Sequence, residues 1–440
     1  MRAADSLSGQ AGIDPTGSTQ GRKQTKRQAR SPQASPQTTT QAPLAAMTTC
    51  VVPPKFPELS SSGLADAAAL QPSVSAPLSA PSPVTLPVLP SNLPLERVPL
   101  PSHGGQVRAV MVHFPTAPQP YYDLSTGISP YPYPLRMPEV SVLARLPEEE
   151  EEADLQAAAA FAYGLTHPDM VVAGAGSQSL IALLPRLLPA QRVCLLGPTY
   201  SGHAQAWYLQ GVPVQQVTDP SALEHAAEQP GTVCVVCNPN NPDGRLIASE
   251  WMHRLADRCA EHGSFLVVDE AFADFEQESI APLLPHPALG VLRSFGKTYG
   301  LPGVRLGFLL ANPERAAQAR ALLGSWSVGS LALAAGRQAL RDTAWLHTAR
   351  AQARAAHTRL TTLLDAAGLP HTGQVSLFTL VLHQLAPALW QHFCTYGLVT
   401  RIFAEQPGRL RVGLPASEAA WARLETALQA WTALHAGGAP

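Results

Sequence analysis

Short apolar runs recur between residues 170 and 311, and this repetition constrains the fold more than any other feature of the chain. Most runs are aliphatic or β-branched without polar alternation, a pattern typical of strands buried on both faces. Helical segments separate them, so the sequence predicts an α/β fold with a mostly parallel seven-stranded sheet and helices on both faces. The expected strands are Met170–Ala173, Val193–Gly197, Val214–Val217, Val233–Cys237, Phe265–Asp269, Val291–Phe295 and Val304–Ala311.

The segment Ser249–His262 illustrates the helices expected between these strands. Apolar residues recur at helical spacing from Met252 to Cys259 and mark one face. Ser249 is the expected N-cap, and Gly263 is the expected end of the helix because glycine adopts the left-handed conformation easily.

The chain beyond residue 330 predicts a linking helix and a smaller α+β C-terminal domain. An Ala/Arg-rich helical stretch runs from Leu331 to Ala367, and strand-like segments and a terminal helix follow it. The strands are expected at Val375–His383, Leu398–Phe403 and Arg409–Leu414.

Proline, at 43 of 440 residues, is too frequent for a uniformly folded chain. The segment Ser73–Pro101 interleaves Pro, Ser, Ala and Leu without a helical or strand period. We therefore predict that residues 1–101 form a disordered leader, 102–145 an N-terminal arm, 146–330 a large domain and 331–440 the small domain. The arm is expected to contribute to the small domain and the active site. Basic residues between Arg22 and Arg30 are more typical of a solvated tail than of a nucleic-acid site.

Composition narrows the class of protein. The formal charge of -2 gives no basic field of the kind that binds nucleic acid. No apolar run approaches the ~20 residues that span a bilayer, and the Met1 end lacks the apolar core of a secretion signal. Six cysteines do not make a disulfide framework in a chain of 440 residues. These features predict a cytoplasmic globular protein without nucleic-acid or membrane partners.

Several apparent ligand motifs fail on their spacing. Phe295–Thr298 (FGKT) is similar to the end of a P-loop, but the first glycine of that motif would fall at Val291. Cys234 and Cys237 form a CxxC inside an apolar strand, where an odd separation points them to opposite faces, so we interpret them as buried strand cysteines. The sequence contains neither a metal-spaced His/Cys cluster nor a Gly-x-Ser-x-Gly elbow, and we expect no metal.

Polar motifs stand at the carboxyl ends of several expected strands, where open α/β sheets bind ligands. Ala173–Gln178 (AGAGSQ) opens a helix whose N-terminus can bind an anion. Asn238–Gly244 (NPNNPDG), Val267–Phe272 (VVDEAF), Arg293–Lys297 (RSFGK) and Gly303–Phe308 (GVRLGF) add an amide, an acid, a lysine and an arginine. This set fits pyridoxal phosphate: lysine forms a Schiff base, the acid keeps the pyridine nitrogen protonated, and arginine and the helix start bind the phosphate.

The order of NPNNPDG, VVDEAFADF and SFGKTYGLPGVRLGF resembles the fold-type-I pyridoxal-phosphate enzymes of the class I/II aminotransferase family. The resemblance extends from His103 to the C-terminus and implies that the large domain binds pyridoxal 5'-phosphate. Within the family, His103–Gly105, Asp123–Pro130 and Phe272 favour the threonine-phosphate decarboxylases; aminotransferase relatives usually carry tyrosine at position 272. The implied activity is decarboxylation of L-threonine O-phosphate to (R)-1-amino-2-propanol O-phosphate in cobalamin biosynthesis. A histidinol-phosphate-type aminotransferase is the alternative.

The resemblance also implies a role for individual residues. Lys297 is the expected Schiff-base lysine, Asp269 the partner of the pyridine nitrogen and Asn241 the donor to the phenolic oxygen of the cofactor. Tyr200 is expected to stack on the cofactor ring and to act in catalysis with Lys297 and Asp269. The residues expected to bind the phosphate are Ser177, Gln178, Ser294 and Arg305. The residues expected to bind the substrate are Arg411, His103, Gly127 and Ile128, with Arg411 binding an anionic group.

Three positions depart from the family pattern. Phe272 cannot donate a hydrogen bond to the phenolic oxygen, and Gly296 replaces a hydroxyl that usually assists the phosphate. Leu146 stands where many relatives supply a tyrosine to the neighbouring subunit of a homodimer. Loss of two phosphate contacts, at ~1–2 kcal/mol each, would weaken cofactor retention without abolishing it.

The outcome of the reaction depends on which bond at the substrate's Cα stands perpendicular to the cofactor ring. Decarboxylation requires that bond to be the one to the carboxylate, and transamination requires the bond to hydrogen. The anchoring of the substrate's anionic groups therefore decides the reaction, and whether Arg411 binds carboxylate or phosphate stays open. A non-enzymatic pyridoxal-binding regulator would need a helix-turn-helix domain, and the first hundred residues offer none.

Overall fold

The computed structural model describes residues 99–276 and 279–435, so all but the last three residues of the expected leader lie outside the described residues. The strands are β1 Tyr122–Asp123, β2 Val171–Gly174, β3 Arg192–Leu196, β4 Val214–Val217, β5 Thr232–Cys237, β6 Phe265–Asp269, β7 Leu289–Ser294, β8 Gly307–Ala311, β9 His371–Thr372, β10 Phe378–Leu382, β11 Leu398–Val399, β12 Arg401–Ile402 and β13 Arg409–Gly413. The helices are α1 Val107–His113, α2 Val140–Leu143, α3 Glu149–Ala162, α4 Ser177–Leu187, α5 Ser201–Tyr208, α6 Pro220–Ala227, α7 Ser249–His262, α8 Phe295–Thr298, α9 Pro313–Leu323, α10 Ser330–Ala339, α11 Thr343–Ala366, α12 Ala386–Thr395 and α13 Glu418–His435.

Strands β2 to β8 form one seven-stranded sheet in the order β2-β8-β7-β6-β5-β3-β4. Strands β3 to β7 pair in parallel, and β8 runs antiparallel to both of its neighbours. Every residue of β5, β7 and β8 is buried, which explains why their sequences lack polar alternation. The predicted α/β fold with a mostly parallel sheet is confirmed.

Helices cover both faces of this sheet. Residues of α3, α6, α7 and α10 pack on one face, and residues of α4, α5 and α9 pack on the other. A third apolar cluster lies in the C-terminal part of the chain, where α11, α12 and α13 pack around β10 and β13. The domain divisions expected at residues 101, 145 and 330 stay predictions.

The last strand of the large sheet begins later than the sequence indicates. Pro302–Val304 forms a 3-10 turn, and Arg305 adopts a left-handed conformation with φ of 56°. Strand β8 therefore begins at Gly307 rather than at Val304. At the end of β7, Phe295 belongs to α8 instead of the strand.

The single helix expected over Leu331–Ala367 is wrong, because the chain forms two helices there. Helix α10 ends at Ala339 and α11 begins at Thr343. The break falls where the Asp342 carboxylate accepts a hydrogen bond from the Trp345 backbone N–H at 2.9 Å and caps α11. Aspartate competes with the helical backbone in this way, which favours a new helix start over a continuous helix.

The strand expected over Leu398–Phe403 also divides. Leu398–Val399 pairs in parallel with β1 of the N-terminal arm, and Arg401–Ile402 pairs antiparallel with β13. The latter belongs to a four-stranded sheet in the order β12-β13-β10-β9. One apolar run therefore contributes a strand to each of two sheets.

Helix α7 spans Ser249–His262 as predicted, and Gly263 ends it with φ of 68°. The N-cap is Ala248, so the expected capping role of Ser249 is wrong. Cys234 and Cys237 are buried and unpaired within β5, in agreement with their interpretation as strand cysteines. In the described part of the chain, no helix combines the length and apolarity needed to cross a bilayer.

Candidate active site

A cavity of about 720 Å³ opens at the carboxyl ends of β5, β6 and β7. It collects nearly all the side chains that the sequence motifs single out. Those that line it are His103, Ile128, Ser177, Gln178, Tyr200, Asn241, Asp269, Ser294, Lys297, Arg305 and Arg411. Gly127 lies behind the wall instead, because a Cβ there would come within 2.9 Å of the Phe378 ring and 3.3 Å of the Phe272 ring.

Asp269 ends β6 and is paired with a histidine that the sequence reasoning missed. His203 Nε2 lies 2.8 Å from Asp269 Oδ2, and the Ala271 backbone N–H donates to Asp269 Oδ1 at 3.0 Å. Both side chains are buried. A signal exists in the sequence, since His203 lies one helical turn after Tyr200 in α5.

The ion pair fixes the charge at this end of the cavity. Burial opposes ionisation of Asp269, but the hydrogen bond and charge of His203, together with the charge of Lys297, lower the pKa of the carboxyl below its ordinary value. Burial alone would lower the pKa of His203, yet the Cys237 thiol and the Asp269 carboxylate raise it to about 10. Asp269 is therefore an anion, suited to hold a protonated ring nitrogen.

His203, Cys237 and Asp269 also place three potential ligand atoms within 4.8 Å of one another. The short hydrogen bond between His203 and Asp269 already joins two of the three. The expectation that the site needs no metal stays a prediction.

Lys297 enters the cavity from the four-residue helix α8. Its Nζ lies 4.4 Å from the centre of the Phe272 ring, and Phe272 is buried against Phe378. Burial lowers the pKa of Lys297, and the charges of Arg411 and Arg305 add to this effect, while Asp269 opposes it. A buried lysine with a lowered pKa is the nucleophilic amine that a carbonyl group requires.

An anion cradle lies at the start of α4. Gly176 precedes this helix with φ of 83°, and a Cβ there would come within 2.4 Å of Arg305 Nη2. Gly307 approaches equally closely, since its Cβ would lie 2.3 Å from the Ser177 backbone nitrogen. Both positions require glycine, because the helix N-terminus, the Arg305 guanidinium and β8 meet there. The free N–H groups of Ser177 and Gln178 and the Arg305 charge suit a phosphate.

Tyr200 and Asn241 also line the cavity. Tyr200 Oη donates to the Gln178 side-chain oxygen at 2.8 Å, so Gln178 contributes its side chain as well as its backbone. Asn241 Oδ1 accepts from Arg411 Nη1 at 2.5 Å, which leaves the Asn241 amide N–H free to donate into the cavity. The donor role expected for Asn241 stays a prediction.

The other asparagines of NPNNPDG hold the loop. Asn238 exchanges hydrogen bonds with the Ile247 backbone at 2.8 and 3.0 Å. Asn240 is fully buried and donates to Asp243 Oδ1 at 2.7 Å, while its own oxygen accepts from Thr199 at 2.7 Å. The motif thus supplies one functional side chain and a rigid support.

Arg411 is a buried cation without an anionic partner. The residue is 5 % exposed, and its Nη2 donates to the Ser125 carbonyl at 2.5 Å. Within the described residues it forms no ion pair, and its Nε has no hydrogen-bond partner. Burial lowers the pKa of Arg411, and the nearby charge of Arg401 adds to this, partly offset by Asp123. A buried guanidinium of this kind is suited to bind an anionic group.

A second cavity arginine, Arg401, was missed by the sequence reasoning. It donates to the Pro101 carbonyl at 2.5 Å and to the Ser102 carbonyl at 2.7 Å, beside His103. No local motif marks it, because Arg401 reaches the cavity through the sheet register that sets it opposite Arg411 on adjacent strands.

The structure shows the surroundings of the three positions that depart from the family pattern. A Cβ at Gly296 would come within 2.8 Å of the Pro302 Cα, so the backbone approach there excludes any side chain. Phe272 contributes an apolar wall beside Lys297. Leu146 is exposed in the single chain.

Comparison with known proteins identifies the family of this chain. The family model "Aminotransferase class I and II" matches residues 144–428. The chain is 38% identical over 327 residues, 74% of this chain and 96% of the relative, to a threonine-phosphate decarboxylase from Pseudomonas aeruginosa. It is 32% identical over 207 residues, 45% of this chain and 57% of the relative, to a histidinol-phosphate aminotransferase from Thermococcus gammatolerans.

A solved structure shows the same fold. It is that of histidinol-phosphate aminotransferase from Sinorhizobium meliloti in complex with pyridoxal-5'-phosphate, with a TM-score of 0.64 and 20% identity. It covers 76% of this chain and 96% of its own. The lysine, the ion-paired acid and the anion cradle fit the amine, ring nitrogen and phosphate requirements of that cofactor. The chain therefore belongs to the class I and II aminotransferase family and is a pyridoxal 5'-phosphate enzyme of fold type I.

Proposed function

We propose that this enzyme decarboxylates L-threonine O-phosphate to (R)-1-amino-2-propanol O-phosphate and carbon dioxide, as a step in cobalamin biosynthesis. The observation that carries the proposal is the pair Arg401 and Arg411, two cations that line the cavity in addition to the cradle for the cofactor's phosphate. Two cations match a substrate with both a carboxylate and a phosphate. The 38% identity to a threonine-phosphate decarboxylase over nearly its whole length supports the same substrate.

The residues of this chain would divide the work. The cofactor, when bound, supplies an electron sink for the bond that breaks at the substrate's Cα. Asp269 holds the proton on the ring nitrogen, and His203 keeps Asp269 ionised. The Lys297 amine binds the cofactor in the resting enzyme and later returns a proton to Cα.

The two arginines would select the bond that breaks. Arg411 and Arg401 hold the substrate's two anionic groups and so fix the rotation about its Cα–N bond. Phe272 and Phe378 form an apolar wall between Lys297 and Arg411. The centre of the Phe272 ring lies 4.4 Å from Lys297 Nζ, and the centre of the Phe378 ring lies 4.9 Å from the Arg411 guanidinium carbon. An apolar surface favours a leaving group that departs as neutral carbon dioxide over a retained carboxylate.

The direct test is to incubate the enzyme with threonine phosphate and to measure carbon dioxide with and without 2-oxoglutarate. We expect release of carbon dioxide that does not require the 2-oxoacid. Turnover of histidinol phosphate that depends on 2-oxoglutarate and releases no carbon dioxide would instead establish the histidinol-phosphate-type aminotransferase, which the 32% identical relative favours. Lys297→Ala is the control, and retained turnover in that variant would contradict the assignment of Lys297.

We also propose that two copies form a homodimer, as the family resemblance implies. The test is the molar mass in solution by light scattering after size-exclusion chromatography. A mass of 46.6 kDa, that of one chain, would contradict the dimer.

A further inference from the structure

A buried charge network lies behind the wall of the candidate active site. Arg293 Nη1 donates to Glu270 Oε2 at 2.5 Å, and its Nη2 donates to Asp274 Oδ1. The ring of Tyr163 covers the guanidinium at 4.5 Å, and all three charged residues are at most 5 % exposed. None of them lines the cavity, so the reaction does not use them directly.

The network is bonded to the segments that carry the site residues. Thr298 Oγ1 donates to Asp274 Oδ2 at 2.5 Å, and the Asp274 carbonyl accepts from Arg350 Nε on α11 at 2.5 Å. The network thereby joins the ends of β6, β7 and α8. Its members adjoin site residues in sequence: Glu270 follows Asp269, Arg293 precedes Ser294, and Thr298 follows Lys297.

Helix α8, which carries Lys297, has only four residues, so its position depends on bonds to other segments. One turn of helix is unstable in isolation. The Lys297 carbonyl accepts from the Ser129 backbone N–H at 2.9 Å, which ties the turn to the N-terminal arm. The bond from Thr298 to Asp274 ties the same turn to the sheet. The amine itself lies against the apolar face of Phe272.

We propose that Asp274, fixed in place by Arg293, is a positioning residue that sets the direction of the Lys297 amine through its hydrogen bond to Thr298. A carboxylate held by a buried guanidinium is a more rigid acceptor than a solvated one, because its oxygens cannot rotate without breaking a charged hydrogen bond. The inference rests on the proposed role of Lys297 as the lysine that binds the cofactor, but not on the identity of the substrate.

Thr298→Val tests the proposal, since valine keeps the shape of threonine and removes its hydroxyl. We expect kcat to fall about tenfold or more while KM changes by less than about twofold, because misdirection of one amine affects the chemical step rather than binding. We also expect a shift of about half a pH unit or more in the titration of the bound cofactor's visible absorbance, which reports the environment of the Lys297 nitrogen. Thr298→Ser, which retains the hydroxyl, should restore both properties to within about twofold of wild type.

Thr379→Val is the matched control. Thr379 is another fully buried threonine on β10, and its hydroxyl lies 3.0 Å from His357 Nε2 on α11; Thr379 does not line the cavity. This variant should lose thermal stability to a similar degree but keep kcat and the absorbance titration. If Thr298→Val loses stability yet keeps kcat and the titration, the network is only structural and the proposal is wrong.

Two further arms keep the test decisive. If Thr298→Val fails to fold, Thr298→Ala also removes the hydroxyl and adds no methyl group in its place. The same changes in kcat and in the absorbance titration are expected for Thr298→Ala. If wild-type protein binds pyridoxal 5'-phosphate without a visible change on borohydride reduction, the assignment of Lys297 fails and not only the positioning role of Asp274.

Discussion

Arg411 is the residue whose environment says most about the substrate. A buried guanidinium without an anionic partner costs free energy in the empty protein, and a bound anion removes that cost. The hydrogen bonds to Asn241 and to the Ser125 carbonyl fix its direction without neutralising its charge.

Arg411→Met should therefore separate binding from stability. We expect kcat/KM for threonine phosphate to fall about 10- to 100-fold, the range that corresponds to a charged hydrogen bond of about 1.5–3 kcal/mol. The free enzyme should unfold at the same temperature as wild type or higher, because the variant no longer buries an unpaired charge. Steady-state kinetics and thermal unfolding check the two expectations.

The control for that substitution is Arg359→Met. Arg359 pairs with Glu418 on the surface at 2.7 Å, where both side chains are solvent-accessible. An unchanged kcat/KM is expected for this variant. Equal losses in both variants would contradict a specific anion site at Arg411.

The pair His203 and Asp269 predicts a pH dependence of stability. Because the pKa of His203 is raised to about 10 in the folded protein from 6.5, its contribution is fully present below about pH 6.5 and is lost as the pH rises towards 10. The pKa of Asp269 is lowered, so its contribution is present above its ordinary value of 3.8 and is lost in acid.

His203→Gln should remove the alkaline part of this dependence. The difference in the free energy of unfolding between wild type and variant is expected to be largest near pH 6 and to shrink towards pH 10. Urea unfolding at a series of pH values measures it. A difference that stays constant from pH 6 to pH 10 would show that His203 is not charged in the folded protein.

At the scale of elements, the break between α10 and α11 is where local sequence and structure disagree most. Alanine and arginine favour helix throughout Leu331–Ala367. The stretch divides at the cap formed by Asp342, whose other oxygen accepts from Tyr133 Oη at 3.2 Å. Tyr133 comes from the N-terminal arm, so its contact with Asp342 cannot be read from the local sequence.

Asp342→Ala should lower the free energy of unfolding by about 0.5–2 kcal/mol, the usual value of an N-cap. Glu425→Ala, at an exposed position inside α13, is the comparison and should change stability by less than about 0.5 kcal/mol. Chemical denaturation of both variants gives the two values. Equal stability of Asp342→Ala and wild type would mean that the cap contributes nothing to α11.

At the scale of the whole molecule, cofactor binding should couple to stability because the site residues come from separate elements. Ser177, Asp269, Lys297 and Arg305 belong to α4, β6, α8 and the turn before β8. Removal of pyridoxal 5'-phosphate should lower the unfolding temperature, and cofactor at 100 times its Kd should restore about 2.7 kcal/mol. Differential scanning calorimetry of both forms measures the effect, and identical unfolding temperatures would contradict binding at this site.

The sequence alone determined the sheet and the motif residues at its edge. Buried parallel strands are recognised as unbroken apolar runs. Lys297, Asp269 and Arg305 each belong to a short motif of contiguous residues that can be read from one sequence. Gly176 also follows from local sequence, since the strand-to-helix turn before α4 requires it, whereas the need for glycine at 307 comes from its close approach to the Ser177 backbone.

Tertiary structure decided which residues of other segments lie in the cavity beside those motifs. His203 and Arg401 reach the cavity through helix packing and sheet register, and neither belongs to a recognisable motif. The division of Leu398–Phe403 between two sheets, and the Gly296 approach to Pro302, likewise depend on contacts between distant segments. Local sequence specifies which side chains a strand or turn can present, whereas ion pairs, burial and backbone approach exist only after the chain has brought separate elements together.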